Sequence, residues 1–249
     1  MSSPELVDSM NAPGDLPITC HAVWDGSHSG LRNMVTDGVL LDAAVQNQFC
    51  SLRFYEWSQP TISLGHFQPD NDPVVQQRFP NLAQVRRLSG GGAILHDREL
   101  TYSCSLPAAH PLVRNPGQVY DIVHQGIIEV LARHGVDCRM RGAALSGPEP
   151  FLCFGRGDPR DIVIGNNKIV GSAQRRRSGA VLQHGSILLS TSPDAPEFPG
   201  IQELTGVSLN CEQLMSPLLE RIGRDLGTIA TLSQWPDDIL QRIEQRMVP

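Results

Sequence analysis

Three separated stretches carry residue types suited to group-transfer chemistry. The first is Arg86-Arg87-Leu88-Ser89-Gly90-Gly91-Gly92-Ala93-Ile94-Leu95-His96-Asp97. Glycine has no Cβ, so the chain there can take positive φ and a ligand can approach the backbone. Successive N–H groups in such a loop form a concave site for oxyanions or carbonyls, and the arginines offer charge-assisted hydrogen bonds. A flexible turn with solvated arginines is the competing reading. The second stretch is Glu149-Pro150-Phe151-Leu152-Cys153-Phe154-Gly155, and the third is Asn167-Lys168-Ile169-Val170-Gly171-Ser172-Ala173-Gln174. A cysteine between phenylalanines is more often packed than reactive. Here its Gly/Pro-rich surroundings place it on a loop, where active residues are common. Lys168 follows it by fifteen positions, and a nearby ammonium favours thiolate, the nucleophilic form.

Positioning these residues requires strands and a few helices. Val85 to Leu88 reads as a strand that delivers the glycine loop, with Ala93-Ile94-Leu95 and Leu100 to Leu106 as the next strands. His21 to Trp24 reads as a first short strand. Asn33 is a plausible N-cap for a helix through Val45. Arg53 to Trp57 and Thr61 to Leu64 are strand-like, and Val74 to Phe79 follows Pro73 as a short helix. Val119, Ile122, Val123, Ile127, Val130 and Leu131 recur at helical spacing after Pro116, and Gly135 can end that helix. Ser146 to Pro159 reads as a loop. Ile162 to Val170 reads as a hairpin around Gly165-Asn166-Asn167. Arg175 to Gly179 is a second hairpin tip, and Ala180 to Leu189 is its returning strand. Cys211 to Leu226 and Pro236 to Met247 read as terminal helices. Hairpins in place of repeated βαβ units indicate an α+β fold with mainly antiparallel sheet and flanking helices. The expected organisation is a loose tail over 1–19 and one domain over 20–249.

Composition excludes several function classes. The chain has 249 residues, 40% hydrophobic and 18% charged, with a net charge of -6. Neither the low charged fraction nor the mild net charge suggests nucleic-acid binding, which usually shows a concentrated basic face, and no apolar run is long enough to span a bilayer. The first residues lack the basic and apolar regions of a signal peptide, which points to the cytoplasm. Six cysteines form no C-x-x-C pair, so neither a metal site nor a disulfide framework is indicated.

The glycine block, the Lys168 block and Leu182-Gln183-His184-Gly185-Ser186-Ile187-Leu188, in this order, resemble the lipoate/octanoate branch of the biotinyl- and lipoyl-protein ligase family. Asn33-Met34 with Asp37, and Leu64-Gly65 with Gln68, also resemble family positions. The resemblance runs from about Gly30 to about Leu189. It implies that Arg86, Ser89, Gly90, Gly91, Gly92, Ala93, His96 and Gly171 bind substrate, with Ala93 and Leu95 as walls of an acyl slot. Within the branch, the Cys153-Phe154 pair upstream of Lys168 resembles the cysteine-dependent octanoyltransferases. Carried over, Cys153 is the nucleophile that forms an acyl-thioester, and Lys168 its activator. The donor implied is octanoyl-acyl carrier protein. The acceptor implied is a lipoyl domain, such as glycine cleavage H protein or a 2-oxoacid dehydrogenase E2, with no metal or other cofactor. Two departures from the family pattern are Leu95, where an aromatic is frequent, and Arg98-Glu99 in place of a small-residue turn.

Two alternatives share these residues. An ATP-dependent lipoate-protein ligase would use the glycine loop and Lys168 on lipoyl-AMP, with Cys153 incidental. A lipoyl amidotransferase would share the cysteine chemistry and differ in its donor. His96 reads either as a base or substrate contact, or as a turn histidine beside Asp97.

Overall fold

The computed structural model describes residues 18–146 and 150–248. The expected tail lies outside the described residues through position 17, as do 147–149 of the expected loop. Eight strands form one sheet. β1 (Thr19–His28) lies parallel between β2 (Cys50–Trp57) and the edge strand β11 (Thr228–Leu232). Beyond β2 the pairing is antiparallel through β6 (Glu99–Leu106), β10 (Ala180–Leu188), β9 (Asn167–Arg177), β8 (Ile162–Ile164) and β7 (Arg139–Met140). A second sheet has β3 (Thr61–Leu64) at its centre, parallel to β4 (Ala83–Arg86) and antiparallel to β5 (Ile94–His96). The architecture is α+β with mostly antiparallel sheet.

The large sheet has two unlike faces. Cys20 and Ala22, then Cys50, Leu52 and Phe54, then Leu100, Tyr102, Cys104 and Leu106 alternate onto one face. That face is covered by α3 (Gly117–Arg133) and α5 (Cys211–Leu226), which supply Val123, Ile127, Leu218 and Ile222. The period of two is that of a pleated strand with one side toward the core. The opposite face meets α1 (Gly30–Asn47), on which α6 (Asp237–Met247) packs through Ile239 and Ile243. Two short helices, α2 (Pro73–Arg78) and α4 (Ile201–Thr205), complete the set.

Some local expectations change. Asn33 does not cap α1. Ser29 does, accepting from the Arg32 N–H at 3.3 Å, while Asn33 lies inside the first turn and is buried. β1 continues past Trp24 to His28, because its later residues keep a partner in β2. The second tip is tighter than Arg175 to Gly179: β9 runs to Arg177, and Ser178 and Gly179 turn at φ 47° and 83°, as two-residue hairpin turns require. Inside the 146–159 stretch, Cys153–Gly155 forms a single 3-10 turn.

Candidate active site

Cys153 is held by the segment that follows the glycines. Its N–H donates to the Ala93 carbonyl at 2.8 Å, and Leu152 bridges Ala93 in parallel. Gly92 makes this possible: a Cβ there would lie 2.5 Å from the Phe151 carbonyl oxygen. Lys168 enters from β9. Its Nζ lies 2.9 Å from Asp161 Oδ1 and donates to the Cys153 carbonyl at 3.3 Å, with both charged side chains almost wholly buried. Burial pushes the Asp161 carboxyl up, and the Lys168 charge opposes that. Gly171 lies beneath the lysine, since a Cβ on it would meet Lys168 Cε at 2.5 Å.

A second cation stands near the cysteine. Arg87 is buried, and its guanidinium donates to Ser63 O (2.9 Å), Gly90 O (2.8 Å) and Gly92 O (2.6 Å). The glycine loop therefore offers carbonyls to an arginine. Gly91, at φ +97°, is flanked by both groups: a Cβ on it would lie 3.0 Å from Arg87 Nη2 and 3.9 Å from Cys153 Sγ. Burial pulls the guanidinium down to about 10, with Cys153 opposing and Arg156 assisting. It remains a full cation at neutral pH.

Arg87, Cys153, Phe154, Lys168 and Gly171 line one cavity, together with Tyr55, Trp57, Ile94 and His96. His96 is a wall of this cavity. Its ring stacks on Trp57 at 3.8 Å between centroids, and its nitrogens lie 2.7 Å from Ser63 Oγ and 2.7 Å from Glu99 Oε1. With both nitrogens engaged by protein partners, it has no free nitrogen to act as a base. A second cavity adjoins the first through the shared residues Ile94 and Phe154 and takes in Ala93, Leu95 and Leu152.

Below the first cavity, α1 meets the sheet through buried polar groups. Asp37 accepts from Arg53 Nη1 (3.0 Å), Tyr55 Oη (3.2 Å) and Ser103 Oγ (2.7 Å), and lies 3.2 Å from His184 Nδ1. Burial alone would raise Asp37; the partners His184, Arg53 and Ser103 outweigh it and hold the carboxyl below its ordinary range. His184 Nε2 in turn lies 2.5 Å from Ser89 Oγ. This chain ties α1 and β10 to the start of the glycine loop.

The structure thus brings Cys153, Lys168, Gly171 and His96 to one cavity and gives the other expected site residues different places. Arg86 points out of it, to Gly65 O at 2.7 Å, His66 O at 3.3 Å and Asp70. Ser89 and Gly90 to Gly92 form its supporting layer, and Ala93 and Leu95 line the second cavity. Sequence reasoning missed Arg87 as the inward arginine and Asp161 as the lysine's partner. Strand alternation makes neighbouring arginines face apart. The β8–β9 hairpin, read closely, would have brought Asp161 beside the Lys168 strand.

The sequence matches the family described as lipoyl protein ligase A/B catalytic domain over residues 29–205. It is similar to the octanoyltransferase LipM of Kyrpidia tusciae, 31% identical over 242 residues, covering 84% of this chain and 88% of that protein. To the octanoyltransferase LipM of Anoxybacillus flavithermus it is 34% identical over 187 residues, 69% of this chain and 67% of that one. Its fold is like that of a lipoate-protein ligase A crystallised with ATP (TM-score 0.71, 17% identity, 92% of this chain and 94% of that one). A bipartite lipoate protein ligase from Thermoplasma acidophilum, described with its E2 lipoyl domain, is also similar (TM-score 0.68, 16% identity, 92% and 91% covered). The chain belongs to the lipoyl protein ligase A/B catalytic domain family.

Proposed function

We propose that this protein is an octanoyltransferase of lipoate biosynthesis. It moves an octanoyl group from acyl carrier protein to a lysine of a lipoyl domain through a thioester on Cys153. The observation that carries the reading is a half-buried thiol at the wall of an apolar cavity, with Arg87 and Lys168 beside it. The curated relatives named octanoyltransferase support the same reaction.

In the first step the Cys153 sulfur attacks the donor's carbonyl carbon. A C–S bond to Cys153 forms, the C–S bond to pantetheine breaks, and the Cys153 proton ends on the departing thiol. In the second step the acceptor amine attacks octanoyl-Cys153. A C–N bond forms, the thioester breaks, and an amine proton returns to the Cys153 sulfur. Dividing one transfer into two in this way is covalent catalysis. The acyl chain lies against Trp57, Ile94 and Phe154, where each buried methylene contributes about 0.8 kcal/mol.

The two cations have different roles. Lys168 is paired with Asp161 and clamps the Cys153 carbonyl, so much of its charge is spent on position. Arg87 is held by neutral acceptors and keeps its charge for the sulfur and for the oxyanion of each tetrahedral intermediate. Charge preorganised in a dry site is the strongest form of such stabilisation. The acceptor is a lipoyl domain of the H protein or E2 kind, and the compartment is the cytoplasm. No helix among the described residues is long and apolar enough to cross a membrane.

Intact-mass spectrometry tests the reading. The protein and its Cys153→Ala variant are each mixed with octanoyl-acyl carrier protein without ATP. A hydroxylamine-sensitive octanoyl adduct on the native protein alone is expected. Lipoyl-domain modification that appears only with lipoate and ATP, without an adduct, would establish the ligase reading instead. An adduct formed only from an acylated lipoyl protein would identify an amidotransferase.

A further inference from the structure

We infer that the second cavity is a thiol-side subsite, which holds the pantetheine arm of the acyl donor while the first cavity holds the acyl chain. This rests on the thioester reading above. A thioester has two sides, and a nucleophile that cleaves it must have room for both.

Cys153 sits in the partition between the two cavities. Leu152 lines the second, Cys153 lines the first, and Phe154 lines both. The Cys153 N–H is fixed to the Ala93 carbonyl, and Ala93 itself faces the second cavity. A carbonyl carbon bonded to Cys153 with its chain in the first cavity therefore has its leaving sulfur at the edge of the second.

The lining of the second cavity matches the arm. Ala93, Leu95, Leu152 and Phe198 give it apolar walls, while Asp97, Ser190 and Ser192 give it acceptors and hydroxyls. Pantetheine alternates short alkyl segments with two amides, each of which needs a donor or acceptor when it leaves water. The far end of the arm carries a phosphate, and the neighbouring cation is Arg98, which lines a third pocket sharing Ser190 with the second and lies 3.9 Å from Asp97 Oδ2. Arg98, at φ 49°, keeps its guanidinium half exposed and donates to the Thr191 carbonyl at 3.1 Å, between Ser190 and Ser192. After the thiol leaves, the same groove admits the acceptor lysine, also a polar group on an alkyl stem.

The test uses octanoyl thioesters of N-acetylcysteamine, pantetheine and 4′-phosphopantetheine, with acylation of Cys153 followed by intact mass. On the native protein kcat/KM is expected to rise about tenfold from N-acetylcysteamine to pantetheine, the scale at which a subsite discriminates small groups, and again with the phosphate. Ala195→Phe, which fills the second cavity, should collapse the pantetheine to N-acetylcysteamine ratio toward one, and Arg98→Gln should remove only the phosphate increment. Ratios are read on each protein, so a general loss of activity cancels. Should Ala195→Phe fail to fold, the native series still decides. Equal rates with all three donors would overturn the subsite and leave the acyl-enzyme standing. A change in the octanoyl to dodecanoyl preference in Ala195→Phe would overturn it in favour of an acyl-tail pocket. No adduct from any thioester would overturn the acyl-enzyme reading and the subsite with it.

Discussion

The two faces of the large sheet do different work with the same strands. Toward α3 and α5, β2 presents Cys50, Leu52 and Phe54; toward α1 it presents Ser51, Arg53 and Tyr55. The first face is held by non-directional burial, which tolerates exchange among apolar residues of similar volume. The second is held by directional bonds that converge on Asp37 and reach Ser89 through His184. Arg53 has no exposed surface and also binds Asp25 (2.7 Å) and Asn33 Oδ1 (2.8 Å). A buried ion network of this kind is weak as a source of stability. Its geometry places the glycine loop, and through that loop Arg87 and Cys153. The apolar face keeps the molecule folded, and the polar face gives the site its shape.

The most direct way to break this contrast is to remove its hub. Asp37→Ala leaves Arg53 buried beside a missing partner and is expected to cost about 3–5 kcal/mol, the usual penalty for orphaning a buried charge. Denaturant unfolding measures it. Octanoyl transfer should fall further than the loss of folded protein explains, because Ser89 loses the anchor of its histidine. On the other face, Ile127→Ala removes a fully buried side chain from α3 and is expected to cost about 3 kcal/mol, with kcat unchanged on the folded fraction. If Ile127→Ala disturbs kcat as much as Asp37→Ala does, the division between faces fails.

One polar seam crosses the apolar face, and it sharpens the comparison. Gln183 Nε2 donates to Tyr102 Oη (2.8 Å), Tyr102 Oη lies 2.7 Å from Ser172 Oγ, and Ser172 Oγ lies 2.6 Å from His124 Nε2. His124 Nδ1 lies 2.6 Å from the Arg160 carbonyl. That carbonyl can only accept, so Nδ1 carries the proton and Nε2 accepts from Ser172. Burial lowers His124 to about 4, against the opposing pull of the Arg160 carbonyl. The folded value lies below the unfolded value of about 6.5, so the unfolded chain binds the proton first as pH falls. The full stability is present above about pH 6.5 and is lost progressively toward pH 4, by about 3 kcal/mol. Urea melts from pH 7 to pH 4 should show this acid limb. His124→Gln should flatten it.

How much of this was legible in the sequence follows from what each element depends on. α3 was plain because its apolar spacing faces one continuous core, and the hairpin at Gly165 because its turn chemistry is local. The start of α1 was misplaced because Asn33 is polar for a tertiary reason: it ties Arg53 to the Glu56 carbonyl. β11 was missed because it is a short, half-exposed edge strand whose pattern has little apolar period. In the site, the motifs brought Cys153, Lys168 and Gly171 together. They did not distinguish Arg86 from Arg87, nor the glycine loop as a support from the glycine loop as a wall. Those distinctions depend on which way a strand is rotated when it leaves β4, and a motif does not record rotation. Asp161 was overlooked because a carboxylate near a hairpin is ordinarily solvated, and here the protein buries it.

The smallest effect isolates burial from charge. Arg32 on α1 pairs with Glu244 on α6 at 2.6 Å, on the same side of the sheet as Asp37, but the glutamate side chain is 62% exposed. Water already solvates both ions, so the pair recovers little when it forms, and exposed pairs typically contribute about 0–1 kcal/mol. Arg32→Met should therefore shift stability by no more than about 1 kcal/mol. That shift should shrink further in salt, because screening at 1 M acts within about 3 Å. Octanoyl transfer should be unaltered. A loss comparable to Asp37→Ala would mean that charge on the α1 side matters wherever it lies. A shift within these bounds assigns the cost at Asp37 to its burial, and with it the reason the polar face can hold the site rigid.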